Sequence, residues 1–173
     1  MSAKNTALKP PRPRVKPARP IIGWREWVGL GDLGVTQVKA KIDTGARTSA
    51  IHAFKIRPFT DGGSPHVSFL LHPAQRRRLP EIECVAAVHD QRHIRSSNGH
   101  QEERYVIKTT AQVGDHFWPI ELTLTDRDQL GFRMLLGREA VRKNFVIDPG
   151  RSFVGGSLTA AIRLPANPKE PKK

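Results

Sequence analysis

The chain has 173 residues, and its 29 Lys and Arg against 16 Asp and Glu give a formal net charge of +13. This length predicts one domain of ordinary size with a real hydrophobic core. The single cysteine, Cys84, excludes an intrachain disulfide and favours a reducing compartment. The chain has neither the apolar run of a secretory signal nor a stretch as long as a membrane span, so we expect a cytoplasmic protein without a membrane contact.

The positive charge is concentrated near the two ends of the chain. Residues 1–20 contain six basic residues and no acidic one, and they are rich in proline. We therefore predict a disordered basic tail at 1–20, a folded domain at 21–164 and a second disordered basic tail at 165–173. The tails either keep the protein soluble or contact the ribosome, RNA or an acidic partner.

Short segments of alternating apolar and polar residues predict strands along most of the domain. In chain order the predicted elements are strands at 21–30, 35–42 and 49–56, a loop at 58–65, a strand at 67–71, a basic connection at 73–80, a strand at 81–89, a polar hairpin at 90–103, strands at 105–113 and 117–125, a loop at 125–131, a strand at 134–137, a helix at 138–144 and a last strand at 145–148. Asn98-Gly99 between two strand-like runs is the strongest short signal for a hairpin. This succession predicts an all-β domain with one short helix.

The most informative stretch runs from Val38 to His52. Val38 to Ile42 alternates apolar residues with lysines, as a half-buried strand does, and Asp43-Thr44-Gly45 follows it. Gly45 permits a bend and a close backbone approach, so the stretch holds a carboxylate at the end of a rigid element. The carboxylate of Asp43 is either catalytic or only an acceptor for backbone donors in a turn.

These segments, in this order, resemble a retropepsin-type aspartic peptidase. Asp43-Thr44-Gly45-Ala46 matches its catalytic loop, the polar hairpin matches its flap, and Leu135-Leu136-Gly137-Arg138 matches the apolar-apolar-Gly motif that opens its helix. The residues that flank these motifs are even more similar to those of one bacterial branch of the family, which is labelled "ATP-dependent zinc protease" or RimB-like. The resemblance covers about residues 21–155 and implies a retropepsin-like acid-protease barrel with one short C-terminal helix.

The resemblance implies peptide hydrolysis by two carboxylates that share a proton. The chain has only one Asp-Thr/Ser-Gly triplet, so we expect a two-fold homodimer that places the Asp43 carboxylates of both subunits side by side. By the same resemblance, Thr44 hydrogen-bonds across that interface and Gly45 donates its backbone N–H to the carboxylate. The resemblance also implies that Ala46 binds substrate.

Two further parts of the site follow from the resemblance. The hairpin around Asn98 and Gly99 is expected to bind substrate and to close over it as a lid. Gly137 and Arg138 are expected to be structural residues next to the site.

Arg47 departs from the retropepsin pattern. Retropepsins commonly have an acidic residue at this position, and it pairs with the arginine that matches Arg138. Two arginines would meet here, so the pairing that supports the dimer needs another acid, for which Glu139 and Asp148 are the candidates.

We hypothesise that Arg47, with Arg104 or Arg95 from the flap, selects an acidic substrate through bidentate contacts with carboxylates. RimB-like proteins are associated with trimming glutamate tails on a ribosomal protein, and an acidic peptide or protein tail fits that association. The alternative is that Arg47 is only a solvated or structural charge.

The family label mentions zinc and ATP, but the sequence has no His-Glu-x-x-His motif, no pair of cysteines and no glycine-rich phosphate-binding loop. We therefore expect no metal site and no cofactor. The leading hypothesis is a dimeric aspartic endopeptidase. The alternative is a non-catalytic binding module of the same fold that its basic tails recruit to the ribosome or RNA.

Overall fold

The computed structural model describes residues 18–95, 99, 101–126 and 131–158, and strands dominate this part of the chain. The strands are β1 (Ile21–Gly23), β2 (Arg25–Leu30), β3 (Val35–Asp43), β4 (Ser49–His52), β5 (Phe54–Asp61), β6 (Ser64–Leu71), β7 (Ile82–Arg95), β8 (Gln101–Val113), β9 (His116–Thr125), β10 (Met134–Gly137) and β11 (Val146–Asp148). One α-helix of four residues, α1 (Arg138–Val141), follows β10. The predicted all-β fold with one short helix is confirmed.

Nine of the strands form one sheet, in the order β2-β3-β10-β4-β9-β8-β7-β6-β5. Strand β2 also pairs with β8, so the pairings of the first six strands form a closed ring. Strands β7, β6 and β5 continue the sheet beyond that ring. The remaining two strands, β1 and β11, form a separate parallel pair. In the described residues no helix is both long and apolar enough to cross a membrane.

The core is one cluster of buried side chains that come from the strands of the ring and also from β6 and β7, and buried residues alternate with more exposed ones along several strands. On β3, the buried side chains of Val38, Ala40 and Ile42 alternate with more exposed polar ones. Fully buried side chains from the other strands complete the core; they include Leu30, Phe69, Leu71, Ile107, Leu122, Leu124, Met134 and Leu136. This packing gives the strands that hold the candidate site a rigid base.

The strand predicted at 21–30 is two strands, because the chain segment after β11 packs against its middle. The backbone N–H of Trp24 donates to the carbonyl oxygen of Arg151 over 2.9 Å. A Cβ at Gly23 would lie 2.3 Å from that oxygen, so only glycine fits. The strand predicted at 49–56 is likewise divided, at Ala53, where β4 ends and β5 begins.

The prediction of a loop at 58–65 is wrong. The structure has a hairpin there, in which Pro58 pairs with Val67 and a turn at Gly62 and Gly63 joins β5 to β6. Strand β5 is the last strand of the sheet, so a proline that cannot donate a hydrogen bond is tolerated in it.

The polar hairpin is longer than its sequence suggests, since β7 and β8 run as an antiparallel pair until Arg95 lies opposite Gln101. Gly99 has a φ of 79°, as a tight turn requires, whereas Asn98 lies outside the described residues. The predicted helix at 138–144 is shorter and ends at Val141.

Candidate active site

The Asp43 carboxylate lies at the end of β3, where the chain turns sharply. Its Oδ1 atom accepts hydrogen bonds from the backbone N–H groups of Gly45 and Ala46, each over 3.1 Å. The expected donation from Gly45 is therefore present. Asp43 is half-buried, and Thr44 and Gly45 are exposed. Within the described chain no residue donates to the second oxygen, Oδ2, which leaves it available to a substrate, a water or a partner subunit.

Strand β10 supports the loop that follows β3 (residues 43–48, the Asp43 loop), because it lies between β3 and β4 and pairs with both. Its last residue, Gly137, lies opposite Asp43 in the parallel register. The backbone N–H of Gly137 donates to Ser49 Oγ over 3.0 Å. A Cβ at position 137 would lie 2.7 Å from the carbonyl oxygen of Thr48. The strand can therefore approach the loop this closely only because residue 137 is glycine.

Arg138 donates hydrogen bonds to the backbone of the same loop. Its Nη1 donates to the carbonyl oxygen of Thr44 over 2.9 Å, and its backbone N–H donates to the carbonyl oxygen of Ala46 over 2.8 Å. The next backbone N–H, from Glu139, donates to the carbonyl oxygen of Arg47 over 3.1 Å. The start of α1 therefore contacts the loop through three hydrogen bonds.

This combination of a carboxylate loop, a glycine behind it and an arginine-opened helix agrees with a family model described as "Retropepsin-like aspartic endopeptidase RimB", which matches residues 21–157. The chain belongs to the RimB-like family. The resemblance to this family that the sequence indicated is confirmed.

The RimB-like chain also matches parts of longer curated relatives. Proteins named "Probable alpha-L-glutamate ligase" are 53% identical over 136 residues in Shewanella halifaxensis, 52% over 136 residues in Shewanella pealeana and 46% over 142 residues in Desulfotalea psychrophila. These matches cover 79%, 79% and 82% of this chain but only 30%, 30% and 31% of the relatives. The chain therefore spans about a third of the length of these proteins.

A solved structure supports the fold of the RimB-like chain. The crystal structure of Lpg0085 from Legionella pneumophila, a protein with unknown function (DUF785), has a TM-score of 0.68 with this chain at 25% identity. The match covers 80% of this chain and 99% of the other one.

Arg47 of the RimB-like chain is exposed beside the loop and has no ion pair within the described residues. It lines a cavity of about 280 Å³ together with Thr48, Ser49, Pro119, Ile120, Glu121, Glu139 and Ala140. The two carboxylates in this lining have other cations: Glu139 pairs with Arg142 over 2.8 Å, and Glu121 pairs with Arg92 over 2.6 Å. Among the described residues, no carboxylate therefore pairs with the guanidinium of Arg47.

Neither acid that was considered for Arg138 pairs with it inside the subunit. Glu139 binds Arg142, and Asp148 Oδ1 accepts the backbone N–H of Gly150 over 2.9 Å. The guanidinium of Arg138 instead donates a hydrogen bond to the carbonyl oxygen of Thr44.

Arg104 lies apart from the exposed arginines. It is buried on β8, and its Nε and Nη2 atoms both lie 2.9 Å from Glu102 Oε2. Among the described residues, no hydrogen bond joins Arg104 to the Asp43 loop. Arg95 and Gly99 lie at the end of the hairpin, where Arg95 Nη2 is 4.0 Å from the position of a Cβ at Gly99.

The base of the hairpin carries an ionic cluster that sequence patterns did not indicate. Arg92 on β7 binds Asp90 on its own strand and Glu121 on β9, and His89 Nε2 lies 3.3 Å from the other oxygen of Glu121. The hydrogen bond from Arg92 lowers the pKa of Glu121 below its ordinary value, and the same guanidinium lowers the pKa of Asp90. The strand register shifts between Val88 and Asp90, so the cluster lies at a bulge.

Two buried polar residues also escaped the sequence analysis. Ser49, which accepts from Gly137, follows the loop directly, and no local pattern marks it as a ligand for a backbone N–H 88 residues away. Glu26 is fully buried on β2 and accepts from the backbone N–H groups of Gly23, Val154 and Gly155 over 2.6, 2.9 and 3.1 Å. Across the described residues, no three His, Cys, Asp or Glu side chains come together as a possible metal site.

Proposed function

We propose that this chain is an aspartic endopeptidase that acts as a two-fold homodimer on acidic peptides. The observation that carries the proposal is the geometry of Asp43. One carboxylate oxygen is fixed by two backbone N–H groups, and the other has no donor within the described chain and lies in a loop whose neighbours are exposed. A carboxylate that served only the turn would not need the support of Gly137 and Arg138 from a strand and helix far along the chain.

The chemistry needs two such carboxylates close together, because one accepts a proton while the other donates one. In the proposed dimer, one Asp43 takes a proton from water as the water oxygen attacks the peptide carbonyl carbon. Asp43 of the partner subunit gives its proton to the carbonyl oxygen. The Asp43 that took the proton from water then gives it to the amide nitrogen as the carbon–nitrogen bond breaks, and Asp43 of the partner subunit takes a proton from a hydroxyl of the diol, which restores the dyad.

The exposure of Thr44 and Gly45 supports a dimer at this loop, because a two-fold contact there brings two copies of the same short segment together. Arg138 fixes the backbone of Thr44, so the threonine hydroxyl is presented by a rigid loop. The hairpin of β7 and β8 is the part of the chain proposed to close over a bound peptide.

The proposed substrate is a chain of α-linked glutamate residues, such as a tail added to a ribosomal protein. Two observations support it: the relatives that contain this domain are named as glutamate ligases, and Arg47 beside the loop has no acid of its own. A ligase makes the bond that this peptidase would hydrolyse. Arg47 would bind a glutamate side chain through charge-assisted hydrogen bonds.

The test is hydrolysis of α-linked glutamate peptides by the full-length protein, followed by mass spectrometry, with a glutamine peptide of equal length as the neutral comparison. Asp43→Asn should reduce turnover by at least about 10³-fold, while the circular dichroism spectrum and the mass in solution stay unchanged. A monomer that cleaves, or an Asp43→Asn variant that keeps its turnover, would contradict the proposal.

Arg47→Gln tests the substrate class, with Arg57→Gln on β5 as the matched control because Arg57 is exposed on the last strand of the sheet. Arg47→Gln should lower kcat/KM for the glutamate peptide by about tenfold and leave the glutamine peptide unaffected. If no peptide is cleaved but RNA binds and removal of residues 1–20 abolishes that binding, the chain is a binding module instead.

A further inference from the structure

Asp43 shares its face of β3 with two lysines. Side chains on a strand alternate between faces, and along β3 Val38, Ala40 and Ile42 are buried while Lys39, Lys41 and Asp43 are not. Lys41 is two residues before Asp43, which is about 7 Å along a strand. It is exposed, and within the described residues it makes no ion pair or hydrogen bond through its ammonium group.

The residue directly opposite Lys41 is also a cation. Arg25 on β2 is its partner in the antiparallel register, so the two side chains lie on the same face. The Arg25 guanidinium carbon is 4.6 Å from the ring centre of Trp24 and 5.1 Å from that of Phe153. Its Nε donates to Ser152 Oγ over 3.1 Å. The guanidinium is therefore fixed in place while its terminal nitrogens have no described partner.

The buried side chain of Glu26 holds in place the segment that contacts Arg25. By accepting the backbone N–H groups of Val154 and Gly155, it holds the segment after β11 across β2. Phe153 in this segment has a φ of 54°, a left-handed conformation that is costly for an aromatic residue. The fold thus maintains a strained residue that places an aromatic ring against Arg25.

A cation directly opposite another cation destabilises an antiparallel pair unless an anion compensates for it. The chain contains an internal comparison, because Arg92 and Arg104 are also opposite one another on β7 and β8. There, Asp90 and Glu121 neutralise the first arginine and Glu102 neutralises the second.

The pair formed by Lys41 and Arg25 has no such acid among the described residues. Its neighbour on the same face, Lys39, is also a cation, and its ammonium lies 5.4 Å from the ring centre of Trp27 and 5.6 Å from that of Phe153. The only carboxylate of β3 is that of Asp43 itself.

We propose that Lys41 and Arg25 form a subsite that binds a side-chain carboxylate of an acidic peptide lying at the Asp43 loop. The subsite rests on the proposed function and adds to it a second point of charge recognition, separate from Arg47. An incoming carboxylate relieves the repulsion between the two cations, and the fixed guanidinium loses little freedom on binding.

The experiment measures binding in the full-length Asp43→Asn protein, so that hydrolysis plays no part. A fluorescent α-linked tetraglutamate is titrated by anisotropy, with tetraglutamine as the neutral probe. Lys41→Met should weaken tetraglutamate binding about tenfold and Lys41→Glu should weaken it further. Lys143→Met, in the exposed turn after α1, is the matched control and should leave the affinity unchanged. Neither Lys41 variant should lower the melting temperature of the peptide-free protein, because each removes a like-charge contact.

The proposal is overturned if Lys41→Met and Lys143→Met bind tetraglutamate equally well, or if Lys41→Met weakens tetraglutamine to the same extent. It is also overturned if a single-stranded RNA oligonucleotide depends on Lys41 while tetraglutamate does not. Binding that depends on Lys41 supports the subsite even if wild-type protein cleaves no glutamate peptide, and that second result would count against the proposed function alone.

Discussion

A Cβ atom at Gly137 would lie 2.5 Å from the carbonyl carbon of Thr48, so the backbones of β10 and the Asp43 loop are in direct contact. Real side chains do not tolerate such a distance, and both partners are main-chain atoms that cannot rotate away. The hydrogen bond from Gly137 to Ser49 depends on the same close approach.

We therefore expect Gly137→Ala to reduce the free energy of unfolding by about 3 kcal/mol, because the added methyl group forces two strands apart. Urea unfolding followed by circular dichroism measures this change. Gly131→Ala is the control, since a Cβ at Gly131 meets nothing within 4 Å, and it should stay within about 0.5 kcal/mol of wild type. Equal stability of the two variants would show that the contact relaxes without cost.

Glu26→Gln should destabilise the protein by about 2 kcal/mol. The buried carboxylate accepts three backbone N–H groups through both oxygens, and an amide has only one oxygen to offer. Hydrogen exchange should also become faster at Val154 and Gly155. Glu83→Gln, at an exposed position on β7, is the comparison and should change neither quantity. Unchanged protection of Val154 would contradict the role of Glu26.

The cluster at the base of the hairpin should make stability depend on acid pH. The hydrogen bond from Arg92 lowers the pKa of Glu121 in the folded state, so this carboxylate contributes stability above its ordinary pKa of 4.5 and loses it as the pH falls through the lowered value. Glu121→Gln should cost about 0.5–1 kcal/mol at pH 7, since the pair is partly exposed. The difference from wild type should shrink below about pH 4. A constant difference from pH 7 to pH 3 would argue against this pairing.

Cys84 should be unreactive in the native protein. Burial raises the pKa of its thiol to about 11, with a smaller contribution from Glu83, so very little thiolate exists at pH 8. Iodoacetamide should label Cys84 only after unfolding, as mass spectrometry can follow. Because the unfolded thiol ionises at lower pH than the folded one, stability should fall as the pH rises above about 9. Rapid native labelling at pH 8 would contradict the burial of this thiol.

The strands and the turn at Asp43 were predictable because their signals are local. The alternation around Asp43 and the glycine after Leu136 can be read within a few residues, and both fell where the sequence indicated. The hairpin at 58–65 was missed because Pro58 is a strand breaker everywhere except at a sheet edge. Position within the sheet is not a local property, so sequence could not supply it.

The support of the site was less predictable, for the same reason. Glu26 occupies a buried position that an apolar residue would usually fill, and its three donors come partly from a segment 128 residues away. The isolation of Arg104 from the exposed arginines depends on Glu102, which reaches it from its own strand. Charge counting alone cannot tell a cation that is already neutralised from one that is available.

The hydrogen-bond partners of the Asp43 loop come late in the chain. Ser49 is bonded to a residue 88 positions later and Thr44 to one 94 positions later. During synthesis on a ribosome, Asp43 emerges long before the strand and helix that shape its loop, and contacts between distant segments form slowly. The acid is made early but reaches its geometry only when the domain is nearly complete. A growing chain therefore carries Asp43 long before the hydrogen bonds that hold its loop can form.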